Sequence, residues 1–105
     1  MKVEIFPRAE TDIIGQFRYY LVEKDTPATA ALYREAVKES IEQLRLYPRI
    51  GSLVHGSLPG LRSWPVKGFE FIRVYYLLTS DTLRVVRVLH SKRNVDHILR
   101  REKFT

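Results

Sequence analysis

Cysteine is absent from this chain of 105 residues. That excludes disulfide staples and thiolate metal sites, and it fits a reducing compartment. The opening stretch MKVEIFPRAE carries charges throughout and lacks the apolar segment of a secretory signal. Long hydrophobic runs are missing too. The longest, Val74 to Leu78, falls far short of the roughly 20 residues that cross a bilayer. There are no internal repeats, low-complexity tracts or linkers. Nor is there a glycine-rich phosphate loop, a G-x-S-x-G elbow or a paired-carboxylate signature. His55 and His97 lack paired ligand spacing, which argues against a zinc site. The expectation is a soluble, cytoplasmic protein without metal or cofactor.

What is present is a charge with direction. The formal net charge is +6. Residues 1–53 hold eight Lys/Arg and eight Asp/Glu, whereas residues 54–105 hold ten against four. The whole excess lies in the second half, which implies a directed field and an acidic partner. Nucleic acid and an acidic protein segment both qualify. A membrane ranks last, because no basic amphipathic helix of the membrane-binding kind is found.

A chain of this length supports one domain, residues 1–105, and buries about 65% of its extended surface on folding. Lys2 to Phe6 reads as a strand stopped by Pro7. From Ala9 to Lys24, apolar residues at Ile13, Phe17 and Tyr20/Leu21, with Ile14 alongside, make one helical stripe. Asp25-Thr26-Pro27 breaks it and opens a second helix, with Thr26 as a cap and Pro27 in the first turn. That helix presents Ala30, Tyr33, Val37, Ile41 and Leu44 on one face and ends near Tyr47, before Pro48 and Gly51. The short connection makes the pair an antiparallel hairpin.

After a loop over residues 48–60 the pattern changes to strands. Leu61–Val66 carries a Pro65 that suggests an edge or a bulge. Lys67-Gly68 turns the chain. Phe69–Leu78 and Leu83–His90 are joined as a hairpin through Thr79-Ser80-Asp81-Thr82. Asn94 caps a last helical turn through Val95, Ile98 and Leu99, followed by a basic tail, Arg100-Arg101-Glu102-Lys103. The expected fold is a two-layer α+β domain of order β-α-α-β-β-β: an N-terminal strand, a helix hairpin, a mostly antiparallel three-stranded meander and a short C-terminal helix.

The strands carry the cations. Arg73 lies in the third strand, Arg84 and Arg87 in the fourth, Arg62 in the second. Lys67 and Lys92-Arg93 flank them. Guanidinium groups on a rigid sheet suit phosphate or carboxylate recognition, although such residues also coat the solvent face of a half-buried sheet. If Ser80-Asp81 is a two-residue turn, Arg73 and Arg87 point to opposite faces; a one-residue slip brings them together. His90, beside Ser91-Lys92-Arg93, has the chemistry of a general acid or base in RNA cleavage, with Arg87 and Arg93 as neighbouring cations. The alternative is a strand-end histidine bonded to backbone. The Tyr19-Tyr20 and Tyr75-Tyr76 pairs read as packing residues.

The segments "AETDIIGQFRYYL", "TAALYREAVKESIEQLRLYPRIG", "LRSWPVKGFEFIRVYY" and "TLRVVRVLHSKRN", in that order, resemble the RelE/ParE toxin superfamily over nearly the whole chain. The helix-ending L-x-x-Y-P-x-x-G and the final RVLHSKRN are most similar to the ParE branch. The resemblance implies the toxin of a type II toxin–antitoxin system, associated with plasmid stabilisation and growth inhibition. It would be held silent in a hetero-oligomer by a cognate, ParD-like antitoxin whose C-terminal segment wraps it. ParE-like members are associated with blocking DNA gyrase, and RelE-like members cleave messenger RNA on the ribosome. The latter use basic sheet residues with a late tyrosine or histidine, positions for which Arg73, Arg87 and His90 are candidates. No tyrosine follows Tyr76, which favours a non-enzymatic inhibitor over a metal-independent endoribonuclease. On either reading Arg62, Lys67, Arg73, Arg84, Arg87, His90, Lys92 and Arg93 are candidates for contacting target or antitoxin.

Overall fold

The computed structural model describes residues 1–56 and 58–101. The Glu102 and Lys103 part of the basic tail lies outside the described residues. Pro7 stops the first strand, β1 (Lys2–Ile5), and serves as the first residue of α1 (Pro7–Arg18), where its missing N–H costs nothing. The helix then widens into one π-helical turn over Tyr19–Glu23, with the Lys24 N–H donating to the Tyr19 carbonyl at 3.0 Å. This extra residue rotates the end of the stripe. Tyr20 still faces the core, but Leu21 and Val22 are exposed.

Asp25 takes a left-handed conformation (φ 50°), one that aspartate tolerates better than most residues. α2 (Pro27–Leu46) follows. Thr26 does not cap it; its hydroxyl donates back to the Tyr20 carbonyl at 2.8 Å, tying the helix junction together instead. All five expected core residues of α2, from Ala30 to Leu44, are buried.

The sheet has five strands in the order β1-β5-β4-β3-β2. β3 (Arg62–Val66), β4 (Phe69–Leu78) and β5 (Thr82–His90) form the antiparallel meander, and β1 adds to β5 in parallel. The expected bulge is present between Pro65 and Val66. An addition to the expected order is β2 (Ser52–Leu53), which pairs with β3 and is too short for a periodic pattern to announce it. Asn94 caps α3 (Val95–Arg101) by accepting the His97 N–H at 3.2 Å.

One sheet face, with Val74, Tyr76, Leu83, Val85 and Val88, packs on the helix hairpin. The other face carries Tyr75, Val86 and Leu89 under α3 and the loop before β3. The meander is therefore covered on both sides, which explains its near-continuous apolar runs. No helix among the described residues is long and apolar enough to cross a membrane.

Two buried tyrosines test this packing. The Tyr76 hydroxyl donates to the Pro48 carbonyl at 2.7 Å and accepts the Gly51 N–H at 3.0 Å, pinning the end of α2 to the sheet. A Cβ at Gly51 would strike the Tyr76 ring. The Tyr33 hydroxyl, by contrast, is buried with no hydrogen-bond partner among the described residues, and burial drives its pKa upward. Tyr76→Phe is expected to cost about 1–3 kcal/mol in urea unfolding, while Tyr33→Phe is neutral or stabilising. Burial also raises Tyr75 and Tyr76. A raised folded-state value favours the neutral phenol, so this stabilisation is complete below about pH 10 and is lost as pH rises beyond it. Chemical unfolding at pH 9 and pH 11 checks the sign, and Tyr33→Phe should narrow the difference.

Candidate functional site

β1 ends at Ile5, opposite Val85, and the Phe6 N–H makes the last backbone bond to the Val85 carbonyl at 2.9 Å. Beyond that point the outer edge of β5 has no strand beside it, and α1 lies there instead. Asp12, in the middle of α1, supplies the missing acceptor: its Oδ2 takes the Val88 N–H at 3.0 Å. The same carboxylate takes two donors from Arg87, Nε at 2.7 Å and Nη2 at 2.8 Å. Both side chains are nearly sealed, 9% exposed for Arg87 and 6% for Asp12. The contact is charge-assisted, bidentate and desolvated, the combination that makes such pairs strong.

The relative facing of Arg73 and Arg87 is decided by a bulge. The hairpin turn is the two-residue one, Ser80-Asp81, with Thr79 N–H bonded to the Thr82 carbonyl. That turn alone would place the two arginines on opposite faces. An extra residue in β5, Val86, slips the register by one, so Arg73 pairs with Leu89 and Arg87 with Tyr75. The two arginines therefore share a face. They do not share a partner. Arg73 Nε donates to the Ser63 hydroxyl on β3 at 3.0 Å, while Arg87 turns to the β5 edge and Asp12.

His90 ends β5, and its Nδ1 accepts the Lys92 N–H at 3.1 Å. This contact turns the Nδ1 side of the ring toward the backbone of the turn after β5. The imidazole also stacks on Phe71, with centroids 6.2 Å apart and planes at 11°. Phe71 is 72% exposed on β4.

The remaining candidates disperse. Arg62 donates to the Gly51 carbonyl at 2.7 Å and holds the loop before β2. Lys67 sits exposed on the β3–β4 turn, and Arg84 is exposed on β5 opposite Glu4 and Leu77. Lys92 is exposed in the turn after β5. Arg87 and Arg93 line a common groove with Arg8, His97 and Arg101. His90 and Arg93 border a second, smaller one against α1.

Sequence reasoning missed Asp12, Phe71, Arg8, His97 and Arg101. A signal for Asp12 existed: it is an acid directly beside the apolar stripe, one residue before Ile13 and three after the buried Ala9. Replacing Asp12 by alanine removes the acceptor used by both Arg87 nitrogens and by Val88. The expected loss in urea unfolding is about 3–5 kcal/mol, with Asp12→Asn intermediate because it keeps one acceptor oxygen. A loss below about 1 kcal/mol would contradict the assignment.

Residues 3–95 match the family described as ParE toxin of type II toxin-antitoxin system, parDE. No curated protein matches the chain. Among solved structures, the chain is similar to one described as "Chromosomal ParDE TA system from P. aeruginosa", at 16% identity and a TM-score of 0.60. That likeness covers 86% of this chain and 95% of the other, and it concerns the fold. With the family match spanning nearly every element from β1 to the start of α3, the chain belongs to the ParE toxin family of type II toxin–antitoxin systems.

Proposed function

We propose that this toxin arrests growth by binding DNA gyrase rather than by catalysing a reaction, and that a cognate antitoxin with an acidic segment silences it in a cytoplasmic hetero-oligomer. The observation that carries the reading is the engagement of the residues a ribonuclease would need. Arg87 is bound side-on to Asp12, Arg73 is bound to Ser63, and the His90 Nδ1 accepts a hydrogen bond from the Lys92 N–H. A phosphate-cleaving site needs cations and a proton-transfer group converging on one reacting atom. Here the three diverge. The absence of any tyrosine after Tyr76 points the same way.

An antitoxin partner is supported by the family and by the similar solved structure, which is that of a ParDE system. The helix hairpin leaves Ile14, Tyr19, Leu21, Val22 and Leu32 exposed. Gly15, Tyr19 and Val22 line a shallow groove there. Apolar side chains in such number on one substructure suit burial by a partner, while the basic half steers an acidic chain toward it.

Supercoiling by purified gyrase, with and without the free toxin, tests the target. Inhibition is expected, and full activity at stoichiometric excess of toxin would remove the reading. For the antitoxin complex, association should slow steeply as salt rises, with dissociation changing much less. A salt-independent association rate would contradict steering.

A further inference from the structure

The sheet has two outer strands, β1 and β2. β2 is only two residues long, which blunts its edge. β1 is longer, and no strand lies outside it among the described residues. Its pairing with β5 decides what that edge presents. The Lys2 N–H donates to the Asp81 carbonyl and the Phe6 N–H to the Val85 carbonyl, both at 2.9 Å. Even-numbered residues of β1 therefore face β5, and the backbone N–H and C=O of Val3 and Ile5 point outward. Such a row is a template for a further strand.

The side chains select which strand. Lys2, Glu4 and Ile5 are exposed, and neither Lys2 nor Glu4 makes an ion pair among the described residues. A lysine alone on an edge guards against pairing. A lysine two residues before a glutamate instead complements its own copy run backwards. In an antiparallel pair centred on Val3, the two Val3 backbones exchange hydrogen bonds, and Lys2 of each copy stands opposite Glu4 of the other. Those opposed charges occupy the non-hydrogen-bonded positions, where side chains come closest. Outward-facing residues must meet outward-facing ones, so the neighbouring registers centre on Lys2 or on Glu4. Both set like charges face to face. The apolar residues agree with the Val3 register. Val3 and Ile5 line a groove of about 370 Å³ with Ile13, Val37 and Ile41 of the helix hairpin. A second copy in this register brings its own Val3 and Ile5 to the same side of the sheet and extends that apolar wall.

We infer that β1 pairs with β1 of a second copy of this chain, antiparallel and centred on Val3, in a two-fold symmetric dimer whose sheet runs unbroken through both copies. The contact is isologous and leaves β2 as the outer strand at both ends, so association closes at two copies. Four residues a side are far fewer than a stable interface uses. The dimer is therefore weak and forms as concentration rises. This inference goes beyond the gyrase and antitoxin readings and depends on neither.

Sedimentation velocity of the whole protein over a rising concentration series is the test. A shift from monomer to dimer, with nothing larger, is expected. Lys2→Glu and Glu4→Lys each turn both opposed pairs into like-charge pairs, and each should weaken the dimer about tenfold. An equimolar mixture of these two variants regains opposite charges at both positions and should associate as the unaltered protein does. So should the chain carrying both substitutions. Position 2 stands beside Thr82 rather than a charge, so Lys2→Glu alone carries the test should Glu4→Lys, set beside Arg84, fail to fold. A monomer at every concentration would leave the edge to a strand from some other protein and overturn the inference. So would a dimer indifferent to Lys2→Glu, a mixture that associates no better than its components, or a dimer lost with Val22→Asp on the helix hairpin instead.

Discussion

The Asp12 carboxylate is the interaction on which the arrangement of this fold depends. It stands where the sheet runs out of strand: β1 stops at Ile5, and the edge of β5 past Val85 faces a helix. A buried carboxylate is costly without countercharge and donors. Here it has three donors, two from Arg87 and one from the Val88 backbone. One side chain thus completes the hydrogen bonding of β5, seats α1 on the sheet and neutralises a buried arginine. Because α2 packs against the same sheet face through Tyr33, Val37 and Leu44, the seat of α1 also sets the hairpin. The floor of the basic groove follows from it, since Arg87 forms part of the wall.

That same contact changes how the cations of the second half should be understood. Their segregation in sequence suggests one continuous binding face, but the fold gives them different tasks. Arg62 holds a loop carbonyl, Arg73 braces β3 against β4, and Arg87 closes the sheet edge. The exposed cations then regroup in space across the sequence halves. Arg8, from the electrically balanced first half, joins Arg93 and Arg101 from the basic half. Three of the sheet arginines, Arg62, Arg73 and Arg87, are thus each engaged within the fold.

Most of the architecture was legible because it rests on local period. The stripe from Ala30 to Leu44, the strand stop at Pro7, the Pro27 helix start, the Pro65 bulge and the Asn94 cap all follow from side-chain chemistry within a few residues. The features that escaped are of a different kind. The Val86 bulge, which puts Arg73 and Arg87 on one face, is a slip within an unbroken apolar run, where alternation gives no reading of register. The parallel pairing of β1 with β5 joins residues about 80 apart in the chain. The extra residue of the π-helical turn leaves the composition of α1 unchanged, and β2 has only two residues. The candidate site was hardest for the same reason: Asp12 meets Arg87 across 75 positions. Arg8, His97 and Arg101 look like ordinary surface residues until the chain folds.

If the sheet residues are structural and the toxin acts by binding, it leaves messenger RNA intact. Primer-extension mapping of messenger RNA on translating ribosomes incubated with the purified toxin tests this most directly. Full-length extension products, the same with and without toxin, are the predicted result. New cut ends that disappear with His90→Ala or Arg87→Ala would contradict it.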